Sequence, residues 1–173
     1  MSKRDRNIAM IAYTEVSTDA RVVRAAKAAI EAGFNVDFYT LREDNKFDIV
    51  FSNSVIEHVG DFYDQMKMAK EIQRVGKAYY VQTPNYYFPI EPHYRAIGFQ
   101  FLPFYTKVYA LQKFKMGRAE KITDRNSAIN EANRIRLLKP KELKYLFPQA
   151  NIFKERFFGF TKSLIAYYGF ILK

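Results

Sequence analysis

The feature that most constrains the fold is an alternation of short apolar runs with amphipathic helical stripes. Residues 8–13 form an apolar run of the kind that becomes a strand buried on both faces of a parallel sheet. Ser-Thr-Asp at 17–19 then supplies helix N-cap chemistry, and Gly33 ends the helical stripe. A second apolar run over 34–40 follows the glycine, and this order predicts a β-α-β unit with a right-handed crossover. The stripe consists of Val22, Val23, Ala26, Ala29 and Ile30.

The same order of elements recurs in the next forty residues. Residues 47–52 are predicted to form a strand, Asp61 to cap a helix that ends at Gly76, and residues 77–83 to form a further strand. Strands that alternate with helices at this spacing predict an α/β, Rossmann-like, doubly wound and mostly parallel sheet, built as a single domain over residues 1–173. Ligands of such sheets bind beyond the carboxyl ends of the strands.

The second half of the chain changes character. Aromatic residues and prolines dominate residues 86–118, which we call the cap. Pro103 is predicted to open a helix that directs its larger side chains towards the body of the protein, and a short helix is predicted from Lys139. Residues 150–158 and 163–168 are predicted to form an antiparallel final strand pair. The side chains of the cap helix are Tyr105, Val108, Tyr109, Leu111 and Gln112.

Composition narrows the class of function. The chain has no cysteine, which excludes disulfides, thiolate nucleophiles and cysteine-based zinc sites, and its 2 histidines leave little for a metal centre. We therefore expect no metal. The first ten residues lack the apolar segment of a signal peptide, so the expected location is cytoplasmic.

The basic excess lies in the last 79 residues, which carry sixteen basic and five acidic side chains, whereas the rest of the chain is nearly balanced. With interleaved aromatic residues this charge is compatible with nucleic-acid binding, but the sequence has no RNP, KH, helix-turn-helix or zinc motif. Residues 104–118 also have the composition of a helix at a membrane surface. The favoured interpretation is a lid helix with solvated lysines.

Residues 8–44 resemble the opening β-α-β unit of group-1 GT-B glycosyltransferases. The resemblance rests on Ala-Tyr-Thr-Glu at 12–15, Asp-Ala-Arg-Val at 19–22 and Ala-Gly-Phe-Asn-Val-Asp at 32–37. It implies a nucleotide-sugar binder, although most of the GT-B donor site belongs to a C-terminal domain that has no counterpart in this sequence.

Residues 47–59, FDIVFSNSVIEHV, resemble the fourth-strand segment of class I S-adenosylmethionine (SAM) dependent methyltransferases of the ubiquinone/menaquinone-biosynthesis-like group. The resemblance continues through Glu-Ile-Gln-Arg-Val at 71–75, Thr-Pro-Asn at 83–85, the 88–93 segment and Leu-Phe-Pro at 146–148. It implies a three-layer, truncated methyltransferase-like sheet, SAM as cofactor and a small-molecule acceptor under the cap.

One expected motif is missing. Such methyltransferases carry a glycine-rich turn after their first strand, but no two of the 7 glycines in this sequence are spaced as G-x-G. A third strand-helix unit, expected between residues 44 and 47, is also absent from the sequence. The chain therefore reads as a methyltransferase whose front half is exchanged near residue 45 for a glycosyltransferase-like β-α-β unit.

The methyltransferase resemblance places five residues at the cofactor cleft. Asn53 and Ser54 would border it, Glu57 and His58 would follow on the loop, and Thr83 would lie at the end of the next strand. The alternative is that these residues cap and turn the chain where it leaves a strand.

His93 is the candidate general base because an imidazole titrates near neutral pH and Glu91, two residues away, can orient the ring. The alternative is a hydrogen-bonded structural histidine beneath the aromatic cap. Glu43 and Asp44 stand where a nucleotide-binding fold places its ribose-binding acid, with a solvated loop as the favoured interpretation.

Three functions follow. The first is methyl transfer from SAM to an unidentified acceptor. The second is a catalytically inactive chimera or remnant that folds without binding SAM, as a homodimer through exposed sheet or cap surface. The third is a glycosyltransferase-like nucleotide-sugar binder.

Overall fold

Six of the described strands form one mixed sheet. The computed structural model describes residues 6–11, 30–31, 34–38, 47–117 and 121–170. The sheet strands are β1 (Arg6–Ile11), β2 (Phe34–Phe38), β3 (Phe47–Asn53), β4 (Gly76–Pro84), β7 (Asn151–Phe157) and β8 (Phe160–Tyr168). A separate pair within the cap consists of β5 (Ile90–Glu91) and β6 (Ala96–Ile97).

The strand order is β2-β1-β3-β4-β8-β7. Strands β1 to β4 run parallel, whereas β8 runs antiparallel to β4 and pairs with β7 as a hairpin at the sheet edge. The predicted Rossmann-like, mostly parallel α/β sheet with an antiparallel final strand pair is therefore confirmed.

Four helices of the described residues accompany the sheet. They are α1 (Phe62–Val75), α2 (Phe104–Lys113), α3 (Arg125–Asn133) and α4 (Pro140–Leu146). The predicted cap of α1 is present, since the Asp61 carboxylate accepts hydrogen bonds from the backbone N–H groups of Tyr63 and Asp64 at 2.8 and 3.0 Å. The helix predicted before Gly33 lies mostly outside the described residues, of which Ile30 and Glu31 are helical.

One face of the sheet packs against α1 and α4. The shared cluster, which we call the body core, draws on β3, α1, β4, α4 and β8. Its fully buried members include Val50, Ile72, Val81, Leu143 and Leu164. The helical layer predicted for the opposite face falls in residues outside the described ranges.

The cap has a separate hydrophobic cluster, which we call the cap core. It joins Tyr94, Phe99, Val108, Leu111 and Ala128, and thereby packs α2 against α3. The prediction that α2 directs Tyr105 and Tyr109 towards the body is wrong, because both are exposed. The helix buries its Val108 and Leu111 side against α3 instead.

Within the described residues, every helix is too short or too polar to cross a membrane.

The body core yields a stability prediction. Leu143→Ala removes a fully buried side chain, so we expect it to lower the free energy of unfolding by about 2–5 kcal/mol, measured by urea denaturation at 25 °C. The control is Ile97→Ala, which truncates an exposed side chain and should change stability by no more than about 0.5 kcal/mol. Equal losses in the two variants would contradict this description of the core.

Candidate functional site

The carboxyl ends of β3 and β4 lie side by side, because the two strands are parallel and Asn53 is in register with Gln82. Ser54 follows β3 in the left-handed region with φ 56°, and its backbone N–H donates to the Gln82 carbonyl at 3.0 Å. The Ser54 hydroxyl donates to the Gln82 side-chain oxygen at 3.0 Å and lies 3.3 Å from Oδ1 of Asn53. The structure thus brings together Asn53 and Ser54, both half-buried, at a chain turn.

A buried carboxylate lies just beyond this turn. Glu57 belongs to a 3-10 turn over Ile56–His58 and is 0% exposed. The hydroxyl of Thr83, itself fully buried at the end of β4, donates to Oε2 of Glu57 at 2.9 Å. The backbone N–H of Arg136 donates to the Glu57 carbonyl oxygen at 2.8 Å. These contacts fix the position of a charged group inside the protein.

A second carboxylate orients the candidate base. Oε1 of Glu91 lies 2.7 Å from Nδ1 of His93, and Oε2 accepts from the backbone N–H groups of His93 and Tyr94 at 2.8 and 2.7 Å. Because a carboxylate only accepts, the neutral ring carries its proton on Nδ1 and its lone pair on Nε2. The Nε2 atom lies 4.0 Å from Oε1 of Glu57.

The predicted site residues therefore meet in one cluster. The His58 and His93 rings contact edge to face, with centroids 4.9 Å apart. We call the set the histidine cluster; it consists of Glu57, His58, Thr83, Glu91 and His93. Asn53 and Ser54 form the neighbouring turn described above. Glu43 and Asp44 lie outside the described residues.

A cavity of about 230 Å³ lies between the cap and the body, with Glu91 in its wall. Burial lowers the pKa of the Lys107 ammonium, which also lines it. Burial raises the pKa of the Tyr94 hydroxyl, which donates to the Glu131 carbonyl oxygen at 3.0 Å. Oε1 of Gln100 is buried without a hydrogen-bond partner among the described residues. The cavity thus offers acidic, cationic and neutral polar groups to a ligand.

The sequence reasoning missed a polar bridge between α1 and the segment before α4. Nε2 of the fully buried Gln65 donates to the carbonyl oxygens of Ile56 and Arg136 at 3.0 and 2.8 Å. Oε1 of Gln65 accepts from Nη1 of Arg136 at 2.7 Å, and Nη2 of Arg136 donates to Glu142 at 2.6 Å. In the sequence, this bridge is indicated by the position of Gln65, which lies three residues before Met68 on the buried stripe of α1.

Comparison with known families places this site in context. Residues 5–78 match the methyltransferase domain family. This chain is similar to methyltransferases. The matched range includes residues 8–44, so the same residues that resemble a glycosyltransferase also match a methyltransferase domain. The glycosyltransferase resemblance of residues 7–44 and the exchange near residue 45 stay predictions.

Curated relatives match over a short segment. Two uncharacterized proteins from two strains of Mycobacterium tuberculosis are each 35% identical over 51 residues, which is 30% of this chain. The match covers 17% of the length of each of these proteins.

Solved structures resemble the chain over nearly its whole length. A Rhodobacter sphaeroides protein assigned as a Zn-dependent alcohol dehydrogenase has a TM-score of 0.50 at 10% identity, covering 94% of this chain and 83% of that one. An O-methyltransferase family protein from Burkholderia thailandensis gives 0.48 at 15% identity, covering 95% and 50%. A SAM-dependent methyltransferase from Methanosarcina mazei gives 0.45 at 16% identity, covering 94% and 92%. At 10% identity the similarity to the Rhodobacter sphaeroides protein concerns the fold alone.

The polar bridge yields a second stability prediction. Gln65→Met keeps the length of the side chain but leaves two buried carbonyl groups and the Arg136 guanidinium short of a partner, so we expect a loss of about 1–3 kcal/mol. Lys70→Met, at an exposed position of the same helix, is the matched control and should stay within about 0.5 kcal/mol of the unaltered protein. Urea denaturation measures both. A loss no larger than that of the control would show that the bridge adds nothing to stability.

Proposed function

We propose that the protein is a SAM-dependent methyltransferase that acts on a small-molecule acceptor held in the cavity beneath the cap. The observation that carries the proposal is that Glu91, which holds Nδ1 of His93, also forms part of the cavity wall. An acceptor in the cavity therefore lies beside Glu91, the carboxylate that holds His93. The methyltransferase domain match of residues 5–78 and the strand order support the same conclusion.

The sheet provides a crevice of the kind that SAM requires. Strand β1 pairs with β2 on one side and with β3 on the other, so the strand order reverses there, and ligands of open α/β sheets bind at such a point. Asn53 and Ser54 lie at the carboxyl end of β3 beside it. The turn at 13–19, which lacks the usual glycines, lies outside the described residues.

In the half of the crevice that the structure describes, we assign the contacts of SAM to Asn53 and Ser54. When bound, SAM supplies an electrophilic methyl group. Glu57 and Thr83 are fully buried and hydrogen-bonded to each other, so in this proposal they position the turn that carries Asn53. His58 lies beside His93 and shields one edge of its ring.

His93 is the proposed general base. Its Nε2 lone pair takes the proton of an acceptor hydroxyl, and the Glu91 carboxylate on Nδ1 stabilises the imidazolium that results. Transfer also requires the two reactants to be held in line, and in this proposal the cavity holds the acceptor for that purpose.

Calorimetric titration tests cofactor binding. We expect SAM and S-adenosylhomocysteine to bind with micromolar Kd, and Asn53→Leu to weaken binding by about ten-fold, the equivalent of one lost hydrogen-bonded contact. Asn151→Leu, at an exposed position at the start of β7, is the matched control and should bind as the unaltered protein does. No heat and no thermal shift at millimolar SAM would favour the inactive remnant. A thermal shift with a UDP- or GDP-sugar and none with SAM would favour the nucleotide-sugar binder.

Turnover tests the role of His93. With a panel of small phenols and alcohols as acceptors, we expect His93→Gln to lower kcat by about 10²–10⁴ while the Kd for SAM stays unchanged. Glu91→Gln should also lower kcat, because it removes the carboxylate charge that stabilises the imidazolium. Tyr105→Phe, on the exposed side of α2, is the control. Full turnover by the His93 variant would exclude it as the base.

A further inference from the structure

We propose that Glu57, His58 and His93 form a binding site for a divalent transition metal, of which Zn²⁺ fits best. The composition argued against a metal, because the chain has 2 histidines and no cysteine. The fold changes that argument, because it brings both histidines and a buried carboxylate to one point. One ligand atom from each of the three residues lies within 4.8 Å of the others.

The distances are close to those of a metal site. Metal–ligand bonds of about 2.0–2.1 Å place neighbouring ligand atoms of a tetrahedral site about 3.3 Å apart. Oε1 of Glu57 and Nε2 of His93 are 4.0 Å apart, so small side-chain rotations bring them onto a common ion. The His58 ring lies beside the His93 ring, with centroids 4.9 Å apart and the two ring planes at 90°, and contributes the third ligand atom.

The surrounding hydrogen bonds orient these atoms as metal ligands are usually oriented. Ligating histidines commonly donate their other ring nitrogen to a carboxylate, and here Nδ1 of His93 lies 2.7 Å from Glu91. That bond leaves the Nε2 lone pair directed at Glu57. The Thr83 hydroxyl holds Oε2 of Glu57, so that Oε1 is the oxygen that faces His93. Because the Glu57 and Glu91 carboxylates are both buried, a cation bound close to them would offset the cost of removing their charges from water.

The donor set selects the class of metal. Two imidazoles and one carboxylate suit Zn²⁺ and neighbouring transition metals, whereas Mg²⁺ and Ca²⁺ prefer oxygen ligands throughout. Three protein ligands leave a fourth tetrahedral position for an oxygen ligand. An acceptor hydroxyl bound there would lose its proton more readily, so the metal would take over the task assigned above to His93. Metal binding itself does not depend on SAM.

Cobalt titration tests the site on the full chain after dialysis against a chelator. We expect Co²⁺ to bind one to one with the visible absorption of a tetrahedral complex, and Zn²⁺ to displace it. Because the chain has no other histidine and no cysteine, an imidazole-ligated spectrum can come from this cluster only. His58→Ala, His93→Ala and Glu57→Gln should each weaken binding by at least about ten-fold. Glu71→Gln, a carboxylate paired with Arg74 on α1, is the matched control and should bind normally.

A second measurement avoids reliance on the folding of the variants. In the unaltered protein, paramagnetic Co²⁺ should shift or broaden the NMR signals of both histidine rings at the same metal concentration. Failure to bind Co²⁺ or Zn²⁺ below about 1 mM would overturn the proposal. So would normal binding by either histidine variant, or a histidine signal that Co²⁺ leaves unchanged. SAM titration of the same samples separates this result from the fate of the proposed methyltransferase activity.

Discussion

The hydrogen bond between the Thr83 hydroxyl and the Glu57 carboxylate holds the end of β4 to the turn that follows β3. Taking a carboxylate out of water costs several kcal/mol, and the cost is offset only where hydrogen bonds or cations replace the lost solvent. Parallel pairing of β3 and β4 makes this contact geometrically available, because it places the two strand ends at one edge of the sheet. The position of Glu57 in turn defines the point that Nε2 of His93 faces.

The loop that carries His93 depends on a second buried carboxylate. Glu91 receives two backbone N–H groups and the His93 ring, so a four-residue segment is closed on itself by one side chain. Close backbone packing adds to this, since a Cβ atom on Gly117 would lie 2.7 Å from the His93 carbonyl oxygen. Gly117 has φ 62°, a conformation that favours glycine. His93 is therefore positioned both by Glu91, which precedes it in the chain, and by close packing against Gly117, which follows it.

Local chemistry made much of the sheet predictable. Apolar runs marked β3 and β4, and Asp61 and Gly76 marked the ends of α1, because strand burial and helix capping depend on residues near in sequence. Helix α3 was missed because its sequence is mostly polar and buries Ala128 alone among the residues of that helix. Helix signals of that kind come from tertiary packing, which a single sequence does not display.

The residues of the candidate site were named from the sequence, but their positions relative to one another in space were not. The resemblance to methyltransferases singled out Glu57, His58 and Thr83, and neighbouring positions singled out Glu91 and His93. These residues meet because the cap folds back over the ends of the strands. That contact joins residues far apart in the sequence, so local sequence patterns do not predict it. Gln65 and Arg136 form hydrogen bonds that connect the segment after the cap to α1. In the sequence, the one indication of this contact is a polar residue on the apolar stripe of α1.

The separation of body core and cap core has a kinetic consequence. Each cluster satisfies its own apolar contacts, and among the described residues the two clusters share no buried side chain. Units of this kind open sub-globally at a lower free energy than the whole protein. Backbone amides of α2 and α3 should consequently exchange their protons through an opening that leaves β3 and β4 closed. The same fluctuation would widen access to the cavity between the cap and the body.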